Sequence, residues 1–338
     1  MARAQAVARG SEIAKRLIVA VAALALAGAG VGIWLLVRPG PQPRALVVGV
    51  DDDTLKWTPF PLTVVRRQRE LGADAVRVWV PWRNEKRPTA VRTVELSRTE
   101  TAARRTTVVL AVFGFGAQTP VAAWQQRRFC GYARAALALV PDARAVVVWN
   151  EANSKTYWRG TPGQYESLLA RCYDALHSTR VQVLDSTASA HAPLRFLDAM
   201  AAAYRSSGRT RPLVDAFGHN PYPLTSTEPP TVTHRGDVLG EADYPRLVTA
   251  LQAFGKPPAI WYLEDGFQTD AVSPAQQARD VSTAIAMAAC QPLVRAFFNF
   301  ELVDETRLAG WQSGLIARGG KQKPAAAAFA RAPRRCDT

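Results

Sequence analysis

The sequence has 338 residues, of which 48% are hydrophobic, and it carries a formal net charge of +14. This length accommodates one large domain or two ordinary ones, and the hydrophobic content is sufficient for a sizeable core. The basic residues are scattered among acidic ones, apart from the short tail 331–335, which argues against nucleic acid as a partner and favours a solvated basic surface.

The N-terminal region is typical of a membrane anchor. Residues 17–37 form a run of 21 residues without a charge, and about 20 apolar residues span a bilayer as a helix. The preceding residues 1–16 hold four basic residues against the single acid Glu12, which predicts that they are cytoplasmic and that the bulk of the chain is exported. A cleaved signal peptide, which would give a secreted protein, is the alternative, because small residues at 25–30 could form a cleavage site.

A proline-rich linker at 38–44 precedes a regular alternation of apolar runs and helical patterns. This alternation predicts a parallel sheet. We identify eight rounds of it between residues 45 and 338, and their predicted strands are 46–50, 75–80, 107–113, 145–149, 181–184, 214–217, 259–263 and 295–300.

Helix start signals separate several of these strands. Thr119, Thr161 and Ser273 each stand before a proline, which pairs a capping hydroxyl with a first helical residue that needs no N–H partner. The predicted helices are 62–71, 121–139, 164–177, 275–290 and 323–331.

Eight βα units predict an α/β protein with a (β/α)₈ TIM barrel, preceded by the N-terminal transmembrane helix. A doubly wound open sheet is the alternative, although no glycine-rich phosphate loop follows the first strand. The long irregular stretch 221–242 follows the sixth strand, so it should lie at the mouth of the barrel, where it could cover a site.

The four cysteines favour disulfide bonds over a metal site. They have no CxxC spacing, and the four histidines are dispersed, so we expect neither a bound metal nor another cofactor. In an exported protein an even number of cysteines suggests disulfides. We expect Cys130–Cys172 to join neighbouring helices and Cys290–Cys336 to hold the C-terminus; four buried thiols are the alternative.

Two glutamates follow strands that lie across the barrel from each other. Glu151 comes two residues after the fourth predicted strand, and Glu264 directly follows the seventh. Two carboxylates about 5–5.5 Å apart suit retaining glycoside hydrolysis, in which one is the nucleophile and the other the acid and then the base. Burial and mutual repulsion should raise the pKa of one of them and supply a protonated acid near neutral pH.

Other polar and aromatic residues at the strand ends complete the expected site. Arg77 can hold a nucleophile ionised, although a purely structural ion pair with Glu264 is the alternative, and Asn150 can donate to a sugar hydroxyl. His219 could equally be a hydrogen-bonded core histidine. Flat faces for sugar rings are offered by Trp79, Trp82, Trp149, Trp158, Tyr222 and Trp261, each of which could instead pack in the core.

Four motifs in barrel order resemble the clan-A glycoside hydrolases, in particular the cellulase-like family 5 and the xylosidase-like family 39. They are WNEAN, HNPYP, WYLEDGF and FELVDE, the last followed by WQSGL and KPAAAAF. The resemblance implies that Glu151 is the acid/base and Glu264 the nucleophile. It also implies substrate-binding roles for Arg77, His219 and Tyr222. Asn299, at the end of the eighth strand, is a further substrate-binding candidate.

The sequence departs from this pattern in two places. Phe113-Gly-Phe-Gly ends the third strand where family 5 usually has a histidine, and Asn299 stands where many members have a tryptophan beneath the sugar. We therefore predict a retaining β-glycoside hydrolase for an extracytoplasmic oligo- or polysaccharide, without naming the sugar. A catalytically silent glycan-binding barrel and a transglycosylase that uses the same residues are the alternatives.

Overall fold

The computed structural model describes residues 45–255, 258–307 and 310–336. The expected cytoplasmic segment, membrane anchor and linker, residues 1–44, lie outside this range. No helix in the part of the chain that the structure describes is long and apolar enough to cross a bilayer.

The strands form one closed sheet in which neighbouring strands are parallel. The order is β5-β4-β3-β2-β1-β9-β8-β7-β6, and a pairing of Leu184 with Ala216 joins β5 to β7 and closes the ring. The two-residue β6 pairs only with β7 and adds to the mouth of an eight-stranded barrel. The strands are β1 (Val47–Asp51), β2 (Ala75–Pro81), β3 (Thr107–Phe113), β4 (Ala145–Val148), β5 (Gln182–Asp185), β6 (Ala188–Ser189), β7 (Ala216–Asn220), β8 (Ala259–Asp265) and β9 (Val294–Phe300).

Helices follow the barrel strands and confirm the predicted (β/α)₈ architecture. Their bounds are α1 (Thr54–Trp57), α2 (Pro61–Glu70), α3 (Ala90–Ala103), α4 (Ala123–Leu139), α5 (Pro162–Leu176), α6 (Pro193–Ser206), α7 (Tyr244–Leu251), α8 (Pro274–Cys290) and α9 (Pro324–Arg331). The carboxyl ends of all the parallel strands meet at one rim, which is where barrel enzymes build their sites.

Two of the three predicted caps are present. The Thr161 and Ser273 side chains accept hydrogen bonds from backbone N–H groups three residues on. The predicted Thr119 cap is wrong, because α4 begins four residues later. The Thr119 hydroxyl instead donates to the Gly116 carbonyl at 2.8 Å, while Gln125 accepts the Ala122 N–H and covers the start of the helix.

Both predicted disulfides are present. Cys130–Cys172 joins α4 to α5, and Cys290–Cys336 ties the end of α8 to the C-terminal segment. Disulfides persist in oxidising compartments, so the pair indicates an extracytoplasmic location.

Removing either disulfide should destabilise the barrel by about 3–4 kcal/mol, because each cross-link restricts a long loop in the unfolded chain. The sequence separations are 42 and 46 residues, so C130A/C172A and C290A/C336A should lose nearly equal stability in urea titrations. The reduced wild-type protein, with both cross-links open, is the control. A double variant as stable as the oxidised wild type would contradict this expectation.

Candidate active site

A buried arginine organises the mouth of the barrel. Arg77, on β2, is 2% exposed and its guanidinium contacts side chains from three other strand ends. It pairs with Asp51 of β1, lies 2.9 Å from Glu264 Oε1 of β8, and donates to Asn150 Oδ1 at 3.0 Å. A buried charge requires partners of this kind, so the Arg77 network fixes Glu264 and Asn150 at the centre of the mouth.

The chain after β4 turns sharply to place Glu151. Trp149 has a φ of 70° and Glu151 a φ of 37°, both in the left-handed region that side chains rarely adopt. Such strained backbone is frequent at functional sites, where the surrounding structure holds it in place. The Glu151 carboxylate then accepts one hydrogen bond, from the Asn220 side-chain amide of β7 at 3.0 Å.

The two glutamates have different surroundings. Glu264 forms an ion pair with Arg77 and accepts a hydrogen bond from the Tyr222 hydroxyl at 3.2 Å. The side-chain donor to Glu151 is the amide of Asn220. Burial raises the pKa of Glu151. Burial also raises the pKa of Glu264, and the charge of Glu151 raises it further, whereas Arg77 and Tyr222 lower it. Mutual repulsion means that one of the two carboxyls holds a proton more readily than the other.

Two adjoining cavities open on either side of Glu264. The Glu151 cavity, about 500 Å³, is lined by Glu151, Tyr222, Glu264 and Trp311 among others. The Trp79 cavity, about 690 Å³, is lined by Trp57, Trp79, Arg77 and Asn150. Tyr157, Glu264 and Phe300 line both. The cavities thus form one cleft with Glu264 at its middle.

The Trp79 cavity is rich in carboxyl groups, and its lining also holds Arg77 and Arg307. Burial and neighbouring carboxylates raise the pKa of Glu301 to about 8, and burial raises that of Asp51 to about 7 despite the Arg77 charge. Besides Glu264, the carboxyl residues in its lining are Asp51, Asp52, Asp53, Glu301, Asp304 and Glu305.

The structure brings together six of the residues predicted for the site: Glu151, Glu264, Arg77, Asn150, Tyr222 and Trp79. Among the aromatic candidates, Trp82 is a correction. Its ring is fully buried and packs edge-on against Phe129 of α4 and against Trp149. Trp149 and Trp158 continue the same buried aromatic cluster, so none of these three can support a sugar ring.

His219 and Asn299 are also corrections, because neither lines the cleft. His219 is buried with Nδ1 2.8 Å from the Ala188 carbonyl, and burial lowers its pKa to about 4, so it is a neutral residue that joins β6 to β7. Asn299 is buried and donates to the backbone carbonyls of Glu301 and Ser313, at 2.9 and 3.4 Å. It therefore shapes the loop after β9.

The sequence analysis assigned no role to Asn220, which is buried and contacts Glu151, or to the cleft residues Trp311, Tyr157 and Phe115. Asn220 donates a hydrogen bond to Glu151. Its position next to His219 in the HNPYP motif could have indicated a role in the site. Trp311 of the WQSGL segment lies 5.0 Å from the Tyr222 ring and 5.3 Å from that of Phe300, between ring centroids. The rings of Tyr157 and Phe115 stack with their centroids 5.6 Å apart. Tyr157 lies in a loop without a recognisable motif, and Phe115 belongs to the Phe113-Gly-Phe-Gly segment after the third strand.

Replacing Arg77 should show how much of the protein's stability depends on the charge of this side chain. Arg77→Met leaves the Asp51 and Glu264 carboxyls buried without their cation, which costs about 3–5 kcal/mol when they are ionised. Carboxyls whose folded pKa is raised lose stability as pH rises above their unfolded pKa of about 4. The loss should therefore be larger at pH 8 than at pH 5 in urea titrations.

The exposed Arg66 of α2 provides the matched control. Arg66→Met should change stability by about 0.5 kcal/mol or less at either pH. An equal loss for Arg77→Met at both pH values would contradict the electrostatic explanation and indicate a packing effect.

Comparison with known proteins identifies the fold. No protein-family model matches the sequence, and no curated protein matches it. Among solved structures, a family 39 glycoside hydrolase from the gut symbiont Bacteroides cellulosilyticus superposes with a TM-score of 0.67 at 15% identity, over 86% of this chain and 64% of that one. The chain thus spans less than two thirds of that protein's length.

Two further matches belong to glycoside hydrolases with known ligands or activity. A GH5_18 protein from Streptomyces cattleya, solved in complex with Manβ1-4GlcNAc, has a TM-score of 0.61 at 19% identity, over 85% of this chain and 80% of that one. An exo-β-1,4-mannosidase from an Opitutaceae bacterium has a TM-score of 0.60 at 16% identity, over 85% and 59%. The chain therefore has the (β/α)₈ barrel fold of the clan-A glycoside hydrolases of families 5 and 39.

Proposed function

We propose that the protein is a retaining β-glycoside hydrolase for an extracytoplasmic oligo- or polysaccharide. The supporting observation is that two carboxyls in one cleft have different hydrogen-bond and charge partners. Arg77 and Tyr222 donate to Glu264, whereas an amide donates to Glu151. The Arg77 charge lowers the pKa of both carboxyls, but its guanidinium contacts only Glu264 of the two among the described contacts. Direct contact with a cation favours the carboxylate form, so Glu264 is suited to be the nucleophile and Glu151 the acid.

The proposed reaction has two steps at one anomeric carbon. In the first, a Glu264 oxygen forms a bond to that carbon while the glycosidic C–O bond breaks and Glu151 gives its proton to the leaving oxygen. In the second, Glu151, now ionised, takes a proton from water as the water oxygen displaces Glu264. Asn150 accepts from Arg77 and Ser186 through its oxygen, which leaves its amide N–H₂ group to donate to a sugar hydroxyl.

The cleft favours a neutral sugar at the reacting position. Trp311, Tyr222 and Phe300 form an aromatic wall beside the glutamates, and aromatic faces of this kind bind the apolar faces of ligands in concave sites. The lining of the Trp79 cavity holds seven carboxyl residues against Arg77 and Arg307, and those carboxyls that are ionised would repel a uronate or a phosphorylated sugar. Trp311 also offers, from the loop after β9, the flat surface that Asn299 cannot provide.

The stereochemistry of the first product tests the proposal. The full-length chain is incubated with neutral β-linked oligosaccharides, and proton NMR follows the anomeric signal before mutarotation. A β-configured first product supports a retaining hydrolase, and an α-configured one overturns it. Binding without any turnover would instead indicate a silent glycan-binding barrel, whereas products longer than the substrate would indicate a transglycosylase.

A further inference from the structure

A groove with basic walls lies on the outside of the barrel. It encloses about 780 Å³ between α4 and the chain that leads from β2 into α3. Five cations line it: Lys86 and Arg87 from the connecting loop, and Arg127, Arg128 and Arg134 from α4. Its lining contains no acidic residue. We call this surface the basic groove.

Acidic partners are present elsewhere on the same wall but not in the basic groove. On and beside α3, Arg92 pairs with Glu95, and Arg104 pairs with Glu100. Within the described ranges, no ion pair joins any of the five groove cations to a carboxylate. An anionic ligand would supply the partner that these cations lack among the described residues.

Gly131, in the middle of α4, forms the floor of the groove and places no side chain in it. Gly131 lies inside the helix Ala123–Leu139 and does not have a positive φ. A Cβ built at this position would meet no atom within 4 Å. Neither backbone conformation nor packing therefore requires a glycine here, and glycine destabilises a helix interior relative to alanine. A position without a side chain leaves room for a ligand to approach the helix backbone here.

The groove is long and carries an aromatic ring. Trp124, in the first turn of α4, is 58% exposed and lines the groove together with Ala138 near the other end of the helix. At 1.5 Å per residue these positions are about 20 Å apart. The groove therefore runs from the mouth of the barrel down its wall, which suits a chain-like ligand.

We propose that the basic groove binds an extended anionic glycan through carboxylate or phosphate groups on its sugars. The planar fork of arginine matches both groups in a bidentate way. The disulfides place the surface in an oxidising compartment outside the cytosol. A concave groove with a glycine floor fits a single strand better than a flat bilayer. Because the active-site cleft is acidic, the basic groove is a separate anchoring site and does not extend the cleft.

Titration calorimetry with defined probes tests this proposal on the full-length chain. The probes are oligogalacturonate and a phosphorylated mannan, with dextran as the neutral control. Arg127→Gln with Arg134→Gln should weaken binding of the anionic glycans at least about tenfold. Gly131→Leu should do the same without any change of charge, because it fills the floor, and its circular dichroism spectrum should remain that of the wild type.

The matched control removes two charges elsewhere. Arg66 and Arg69 are exposed on α2, so Arg66→Gln with Arg69→Gln should leave binding unchanged. Equal losses in both double variants would overturn the proposal, because they would show attraction by net charge alone. Absence of binding to both anionic glycans, or tighter groove-dependent binding of duplex DNA or phosphatidylglycerol vesicles, would also overturn it. None of these outcomes depends on the proposed hydrolysis.

Discussion

Glu264→Gln should lower turnover by about 10⁴-fold or more, since a nucleophile acts in every cycle and a neutral amide cannot form the glycosyl intermediate. Glutamine keeps the shape of the side chain and can still contact Tyr222. The variant should therefore fold, although the Arg77 guanidinium, 2.9 Å from Glu264 in the wild type, loses one of its anions. Steady-state kinetics on the substrate found by NMR, together with circular dichroism, measure the two effects separately.

A covalent label tests the same assignment directly. A 2-fluoro sugar with a good leaving group slows the second step more than the first, so the intermediate accumulates on the enzyme. We expect peptide mass spectrometry to find the sugar on Glu264. Glu305→Gln is the matched control, because it makes the same chemical change at an exposed position of the Trp79 cavity and should retain most of the activity. A label on another carboxyl, or an active Glu264→Gln enzyme, would refute the nucleophile assignment.

The barrel could be read from the sequence because its signals are local. Each strand buried on both faces is a short apolar run, as in Thr107–Phe113, whose predicted bounds are the observed ones. The proline-linked caps at Thr161 and Ser273 likewise depend on residues within one helical turn. Thr119 has the same local pattern but a different role, because its hydroxyl accepts from the Arg159 N–H, 40 residues away. A contact at that separation leaves no trace in a short window of sequence.

The errors at Trp82 and His219 have one physical origin, which is that neighbouring residues of a strand point to opposite faces. Arg77 on β2 points into the barrel, whereas Trp82, one residue past the end of that strand, lies toward the helices and packs on Phe129. On β7, only one of His219 and Asn220 can face the cleft, and it is Asn220 that reaches Glu151. Alternation counted from Arg77 would have assigned Trp82 to the helix layer, whereas the place of Trp311 depends on the folded loop after β9.

Glu151→Ala should impair the two steps in different ways, which separates an acid/base from a nucleophile. For an ordinary sugar leaving group, loss of the proton donor should slow the first step by about 10²- to 10⁴-fold. A dinitrophenyl glycoside releases a weakly basic anion that needs no proton, so its first step should remain close to that of the wild type. The second step still lacks a base to activate water, and we expect the glycosyl intermediate to accumulate.

Azide and the pH profile complete the test of Glu151. Azide is an anion that attacks the anomeric carbon without a base, so it should restore turnover of the dinitrophenyl glycoside and give a β-glycosyl azide. In the wild type, kcat/KM should fall as pH rises through the pKa of Glu151, which burial places above the usual glutamate value. This alkaline limb should disappear in Glu151→Ala with the activated substrate. If the limb persists and azide has no effect, another group donates the proton. The contacts of Arg77 with Glu264 and of Asn220 with Glu151 would then serve to position the sugar.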